Sequence, residues 1–382
     1  MRTDDLDFDL PADRVAVAPA HPRDSARLLV CHRNTGRAED HHVRDLPDLG
    51  VLDAGDVMAV NRTRVVPARF SATRAATGGK VDGLFLGPEP PQPGACTPDL
   101  TTEADTPAFR LLCHSGGRLQ PGEQLDLPDG SAWRLIDKRD AGVWRATFLS
   151  SSENKTTADP LSALKLVGRP PLPPYILQER KARGLPQDDP QDPERYNTVF
   201  AGRNAQDTGS AAAPTAGLHF TPELMDRLSL QGVRRAEVVL HVGLGTFAPV
   251  RSDSLDDHTM HSESYLAPAE TLDTLRRARS DGRCILAVGT TTVRALESLP
   301  PDWANLTEDY ASQTDLFIRP DTGFGFRLTD ALLTNFHLPK STLLAMVAAL
   351  PGVGVPRLLE WYRLAVERNY RFYSFGDAML IV

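Results

Sequence analysis

Cysteine is scarce and unpatterned in this chain: Cys31, Cys96, Cys113 and Cys284 are scattered, and no two form a Cys-x-x-Cys pair. That spacing excludes the usual zinc-knuckle and dithiol redox motifs, and it predicts reduced thiols in the cytoplasm. Long apolar runs are missing too. The longest, around residues 343 to 350, falls well short of the roughly 20 residues that a membrane-spanning helix needs, so no membrane association is expected. The amino terminus "MRTDDLDFDLPADR" is acidic and has no apolar h-region, so export through a signal peptide is not expected. Positive charge is not in excess. A net charge of −8 and a pI near 5.7 predict that the protein as a whole does not attract nucleic acid non-specifically. Any polyanion must meet a local patch.

What remains is an ordinary globular composition. With 382 residues, 41% hydrophobic and 24% charged, the chain can bury at least one large core, and two or three domains are expected. Gly and Pro, at 28 and 31 residues, follow no repeat, which excludes collagen-like and fibrous readings.

Between about residues 70 and 148 the texture is short and alternating: "ARFSATR", "KVDGLFL", "AFRLLCH", "SAWRLID" and "VWRATFL". The turn signals Gly78-Gly79, Asp129-Gly130 and Asp140-Ala141-Gly142 suit tight hairpins between them. This predicts an all-β module, a small barrel or sandwich, with "GPEPPQPGACTPDLTTEADTP" as a long loop. After the stiff, then polar segment "RPPLPPYILQERKARGLPQDDPQDPERY", helices and strands alternate. Thr221 is the expected N-cap of helix "TPELMDRLSLQG", with Pro222 at its first position and Gly232 at its end. Strand "VRRAEVVLHVG", helix "PAETLDTLRRARSDG", strand "CILAVGT", helix "TTVRALESL", strands "TDLFI" and "DALLTNF", and helices "STLLAMVAAL" and "PRLLEWYRLAVERNY" follow. Such alternation predicts a mostly parallel sheet flanked by helices. The fold class is therefore α/β, with a main α/β domain made discontinuously from residues 1–66 and 153–382 and an inserted all-β, barrel-like domain at 67–152.

In open α/β sheets, ligands collect beyond the carboxyl ends of strands. Three such corners carry reactive or glycine-rich sequence. In "VVLHVGLGTF", His241 leaves a strand and Gly243 and Gly245 let the backbone approach a ligand. In "LAVGTTTVRALES", Gly289 and Thr290, Thr291 and Thr292 open a helix whose first N–H groups can take a carboxylate. In "LLTNFHLPKST", Asn335 and His337 reach the same kind of edge. "APTAGLHF" adds His219 beside a small-residue turn with Thr215 and Gly217. "DDHTMHSESY" packs His258, His261 and Glu263 together, but His-x-x-His is not the helical pair of a zincin and no third ligand follows at a standard spacing, so no metal is expected. The Gly-Thr-Thr-Thr corner lacks both the dinucleotide fingerprint and the P-loop ending, and no Gly-x-Ser-x-Gly nucleophile motif occurs. The inventory suits a ligand with a carboxylate, a sugar diol and a positive charge. A helix terminus would hold the first, an acid such as Glu263 or Glu297 the second, and an aromatic or carboxylate the third. Separately, Arg62, Arg64, Arg69, Arg74 and Lys80 fall in "RTRVVPARFSATRAATGGK", a stretch without Asp or Glu that is either a solvated basic face or a phosphate-binding one.

At these residues the chain resembles the S-adenosylmethionine:tRNA ribosyltransferase-isomerase family of queuosine biosynthesis. The segments that carry the likeness run nearly end to end: "FDLP", "RDSARLLV", "NRTRVVPAR", "PLPPYI", "RYNTVFA", "AAPTAGLHF", "LHVGLGTFAPV", "HTMHSESY", "AVGTTTVRALES", "TDLFI", "LLTNFHLPKSTLL" and "YRFYSFGDAMLI". The chain departs from the family's pattern where Arg62 replaces a second Asn, and where Asn197 and Phe200 stand in "YNTVF". The resemblance implies a bacterial, cytoplasmic transferase. It would move the ribosyl part of S-adenosylmethionine, with rearrangement, onto the 7-aminomethyl-7-deazaguanine at the wobble position of a tRNA anticodon stem-loop. Epoxyqueuosine-tRNA forms, and adenine and methionine leave. It implies S-adenosylmethionine as co-substrate, no further cofactor and no metal, and the protein is expected to act as a monomer. His337, His241, His219 or His261 would supply the base, with Glu263 and Asp315 as ribose or acid candidates. The corner from Thr290 to Arg294 would hold the methionine end. The alternatives are another S-adenosylmethionine-using transferase on the same scaffold, or a non-catalytic RNA-binding paralogue.

Overall fold

The computed structural model describes residues 1–89, 107–139, 142–151, 159–243 and 252–382. The proline-rich loop expected after residue 87, the Asp140-Ala141 turn and Gly245 lie largely or wholly outside them. The chain divides into two units: Met1–Arg64 with Leu172–Val382, and Val65–Pro171. The short strand β4 (Arg64–Val65) marks the first boundary.

In the larger unit nine strands make one sheet. They are β1 (Arg27–Cys31), β2 (Ala38–His42), β3 (Val57–Asn61), β12 (Arg234–Leu240), β13 (Glu263–Ala267), β14 (Ile285–Val288), β15 (Tyr310–Thr314), β16 (Ala331–Asn335) and β17 (Ala378–Ile381). Their order is β15-β13-β12-β3-β14-β16-β17-β1-β2. Successive side chains on a strand point to opposite faces. Val57 and Ala59 of β3 accordingly join one apolar core, while Met58 and Val60 join another on the far side. Both faces are covered, which is why the central strands read as continuous apolar runs. Helices α5 (Ala269–Ser280), α6 (Thr290–Glu297), α7 (Thr342–Ala349) and α8 (Gly354–Glu367) pack on the first core, and α4 (Pro222–Leu230) packs Leu224 and Leu228 on the second. Thr221 caps α4 as expected, its hydroxyl accepting from Leu224 N at 3.2 Å.

The sheet is less parallel than the alternation predicts. β12, β3, β14 and β16 run parallel, but β13, β15 and β2 pair antiparallel at the edges, and β17 runs antiparallel to β16. One crossover helix returns a chain to the same end of a sheet. Here two helices, α7 and α8, bent by 113° at their junction, deliver it to the opposite end instead. The segment "TDLFI" is not a strand. The strand precedes it as "YASQT", and Ile318 then plugs the core from a loop. The segment read as stiff and polar holds helices α2 (Pro174–Ala182) and α3 (Asp192–Arg195), α2 with its proline at the first helical position. The short strand β11 (Thr208–Ser210) also belongs to this unit.

In the smaller unit β5 (Arg69–Arg74), β6 (Lys80–Pro88), β7 (Phe109–Ser115), β8 (Gln124–Asp126), β9 (Ala132–Lys138) and β10 (Val143–Leu149) pair antiparallel in the cyclic order β10-β7-β6-β5-β8-β9, and β9 closes on β10. Trp133 sits inside the ring with Phe70, Phe85, Phe109 and Phe148 at centroid distances of 4.8 to 5.9 Å. Helix α1 (Leu161–Val167) adds Ala163 and Leu164 to that core, so the unit extends to Pro171.

Candidate active site

β14 and β16 are parallel neighbours, so their carboxyl ends open side by side. Between them lies a cavity. One wall is Gly289, Thr290 and Thr291, where β14 turns into α6. Gly289 has a φ of 89°, which glycine adopts without strain, and it brings no side chain to the N-cap. The first N–H groups of α6 therefore face the cavity with the positive end of the helix dipole. Thr291 Oγ1 accepts from Asn61 Nδ2 at 3.2 Å, which leaves its own hydrogen to donate. A second wall is Thr215 and Ala216, held by a short 3-10 turn at Thr215–His219.

A third wall carries Thr334, Asn335 and His337, followed by Ser341 at the N-cap of α7. His337 is placed from two sides: its backbone N–H donates to Tyr362 Oη at 2.9 Å, and its Nε2 lies 2.9 Å from Thr334 Oγ1. Burial lowers its pKa to about 3, so the imidazole is neutral throughout the physiological range. Asn335 Nδ2 donates to the carbonyl of Tyr373 at 3.0 Å and lies 3.2 Å from His219 Nε2. Asn335 Oδ1 is buried without a donor, an arrangement that costs on the order of 1–3 kcal/mol until something supplies one. The fourth wall is aromatic. Tyr175 and Tyr373 lie with ring centroids 4.8 Å apart, and the Tyr175 hydroxyl bonds to Ser374. Tyr373 has a φ of 71°, a conformation non-glycine residues rarely take, and its N–H is fixed by Phe336 O at 3.1 Å. Burial raises its phenol to about 12, so it stays protonated.

The candidate residues divide sharply. Thr215, Gly289, Thr290, Thr291, Asn335 and His337 line this cavity. His219 stands behind it, buried, its pKa lowered to about 4 chiefly by burial. The other candidates among the described residues do not line it. His241 is half-buried with Nδ1 2.9 Å from Thr63 Oγ1, and burial lowers its pKa. His261 and Asp315 are exposed. Glu263 is buried against Arg294, and its Oε1 accepts from Gly243 N at 2.7 Å. Arg294 also donates to the carbonyls of Leu316 and Thr314, so the 290–294 corner splits: its first two residues face the cavity while its arginine is committed elsewhere. Thr292 donates to Val288 O at 2.7 Å, and Gly217 makes room for Thr198 and Phe200. Glu297 accepts from the backbone of Arg327 and Leu328. Among the described residues no group of three or more His, Cys, Asp or Glu could hold a metal ion.

The basic stretch is largely committed as well. Arg62 pairs with Asp207 at 2.9 Å and Glu237 at 3.2 Å, Arg64 donates to the carbonyls of Gly202 and Ala201, and Arg74 pairs with Glu123. Arg69 joins the ladder through its backbone, and Lys80 is exposed. Sequence reasoning missed Tyr175, Tyr373, Ser374 and Asn61. Two signals were available: the Pro-Pro-Tyr that starts α2 and the aromatic cluster "YRFYSF" before β17.

The family described as queuosine biosynthesis protein matches residues 3–381. The chain is 41% identical over 383 residues to the S-adenosylmethionine:tRNA ribosyltransferase-isomerase of Desulfitobacterium hafniense, with 100% of both chains covered. It is 41% identical over 382 residues to that of Moorella thermoacetica, again with 100% of both covered. The crystal structure of S-adenosylmethionine tRNA ribosyltransferase from Thermotoga maritima matches with a TM-score of 0.51 at 33% identity, covering 99% of this chain and 100% of that one.

Proposed function

Since the chain belongs to the queuosine biosynthesis protein family, we propose that it performs its relatives' reaction: ribosyl transfer from S-adenosylmethionine, with isomerisation, onto tRNA. It is a transferase of tRNA modification. In the finer reading the acceptor is the 7-aminomethyl-7-deazaguanine at the wobble position, the product is epoxyqueuosine-tRNA, and adenine and methionine are released. The cytoplasm of a bacterium is the expected setting, and a discontinuous α/β domain with an inserted barrel is the expected architecture.

The observation that carries this reading is the cavity at the β14 and β16 ends, two of whose walls suit the carboxylate and the sulfonium of S-adenosylmethionine. The first turn of α6, with Thr290 and Thr291, suits the methionine carboxylate. The Tyr175 and Tyr373 rings suit the sulfonium, which aromatic faces attract. His337 is the base, because among the four histidine candidates it alone lines the cavity. It takes a C5′ hydrogen that the neighbouring sulfonium acidifies; the electron pair left on C5′ becomes the C4′–C5′ double bond as C4′–O4′ breaks, and O4′ becomes the C1′ carbonyl oxygen as the bond from C1′ to adenine breaks. The aminomethyl nitrogen condenses with that carbonyl and releases water, water adds at C4′, the carbanion so formed at C5′ closes on C1′, and the C4′ oxygen loses its proton and displaces methionine from C5′ to form the epoxide. A depressed pKa weakens His337 as a base but keeps it unprotonated at neutral pH. In the tRNA complex, the exposed Lys80 would contact a phosphate, so stem-loop affinity falls as salt rises.

The test is to incubate the protein with S-adenosylmethionine and tRNA bearing the aminomethyl deazaguanine, and to follow the nucleoside by mass spectrometry. The reading expects epoxyqueuosine and free adenine. Release of S-adenosylhomocysteine would make the protein a methyltransferase, and binding of the stem-loop without consumption of S-adenosylmethionine would make it a non-catalytic binder.

A further inference from the structure

His219 was a candidate base, but its position gives it different work. Asn335 Nδ2 meets two acceptors, the Tyr373 carbonyl at 3.0 Å and His219 Nε2 at 3.2 Å. Reversing the amide would set Oδ1 against the Tyr373 carbonyl oxygen, two acceptors with no hydrogen between them, so the orientation is fixed. Because Nδ2 only donates, His219 Nε2 must carry a lone pair, and the imidazole is the neutral tautomer protonated on Nδ1. Both amide hydrogens are then engaged, and the remaining polar atom of a cavity-lining, buried residue is Oδ1, which has no donor.

We propose that His219 is a positioning residue: with the Tyr373 carbonyl it locks the Asn335 amide so that Oδ1 receives a hydrogen from the bound nucleoside. This rests on the reading that the cavity takes S-adenosylmethionine. The donor is an O–H or N–H of that molecule, from a ribose hydroxyl or the adenine amino group. It also explains why the strained backbone of Tyr373 falls where it does, since that conformation directs the carbonyl to Asn335 while the ring stays beside Tyr175.

The experiment measures S-adenosylmethionine binding to the full chain by calorimetry. His219→Gln keeps an acceptor for Asn335 and should bind within about threefold of wild type. His219→Phe fills the space but accepts nothing and should bind about tenfold more weakly. Asn335→Ala should weaken binding at least as much, and adding His219→Phe to it should cost nothing further. A residue that merely fills space would give the reverse ranking, Phe tolerated and Gln not, and that result overturns the proposal. A second arm needs only wild type and Asn335→Ala, with the 2′-deoxy, 3′-deoxy and N6-deleted analogues. One analogue should lose about tenfold against wild type and nothing against Asn335→Ala; equal losses in both proteins for every analogue also overturn it. Wild type that does not bind S-adenosylmethionine at all defeats the functional reading itself, a separate outcome.

Discussion

Two corners of the same sheet look alike in sequence and differ in structure. At the ends of β14 and β16, Gly289, Thr290, Thr291, Asn335 and His337 line a cavity, and Asn335 Oδ1 has no partner. At the end of β12, Gly243, Glu263 and Arg294 are just as polar, yet they satisfy one another: the carboxylate takes one backbone N–H and the guanidinium, and the guanidinium takes two carbonyls. Residue type does not separate a site from a strut. What separates them is whether the polar groups have partners inside the protein. The first corner leaves a buried acceptor unpaired, a cost that a ligand can relieve, whereas the carboxylate and guanidinium of the second are paired within the protein.

The largest effect should come from the cavity base. His337→Ala is expected to slow turnover about 100- to 10,000-fold in single-turnover assays while S-adenosylmethionine binding changes only a few-fold. Turnover near wild type would erase the distinction between the corners. Next comes the strut. Glu263→Ala leaves the Arg294 cation buried and unpaired, so urea unfolding should register a loss of about 3–5 kcal/mol, more than any cavity substitution costs. An equally stable but inactive variant would move Glu263 into the chemistry.

Acid sharpens the contrast further. A free imidazole titrates near 6.5, whereas His219 and His337 titrate near 4 and 3 in the folded protein. Between those values the unfolded chain binds protons that the folded chain refuses, so their contribution is intact above pH 6.5 and is lost as pH falls. Each histidine should lower unfolding stability by up to about 1.4 kcal/mol per pH unit in that window. His219→Gln should flatten the slope measured by denaturant titration, and an unchanged slope would mean that His219 is not held neutral. The mildest test is Thr291→Val, which removes a hydroxyl poised by Asn61. It should raise KM for S-adenosylmethionine about five- to tenfold and leave kcat nearly unchanged.

Much of this was legible beforehand, for local reasons. Thr221, Pro222 and Gly232 bracket α4 because caps and glycine ends act within one turn, and the antiparallel strands of the smaller unit show in their alternation. The corner at Gly289 was legible because a strand-glycine-threonine-helix run has few other outcomes. Long-range placement was hidden. Nothing local in the four-residue "AMLI" says that β17 inserts between β16 and β1, and "TDLFI" has strand composition but serves as a core-filling loop. Tyr175 and Tyr373 are distant in the chain and meet only because α2 and the turn before β17 converge. Glu263 and Arg294 read as reactive because their mutual satisfaction is a tertiary fact.

The account turns on where S-adenosylmethionine sits, and a structure determined with it bound tests that most directly. The account predicts the carboxylate on the first turn of α6 beside Thr290 and Thr291, the sulfonium against Tyr175 and Tyr373, and C5′ within proton-transfer reach of His337. Density for the nucleoside beside His241 and Gly243 instead, with the β14 and β16 corner unchanged, would contradict it.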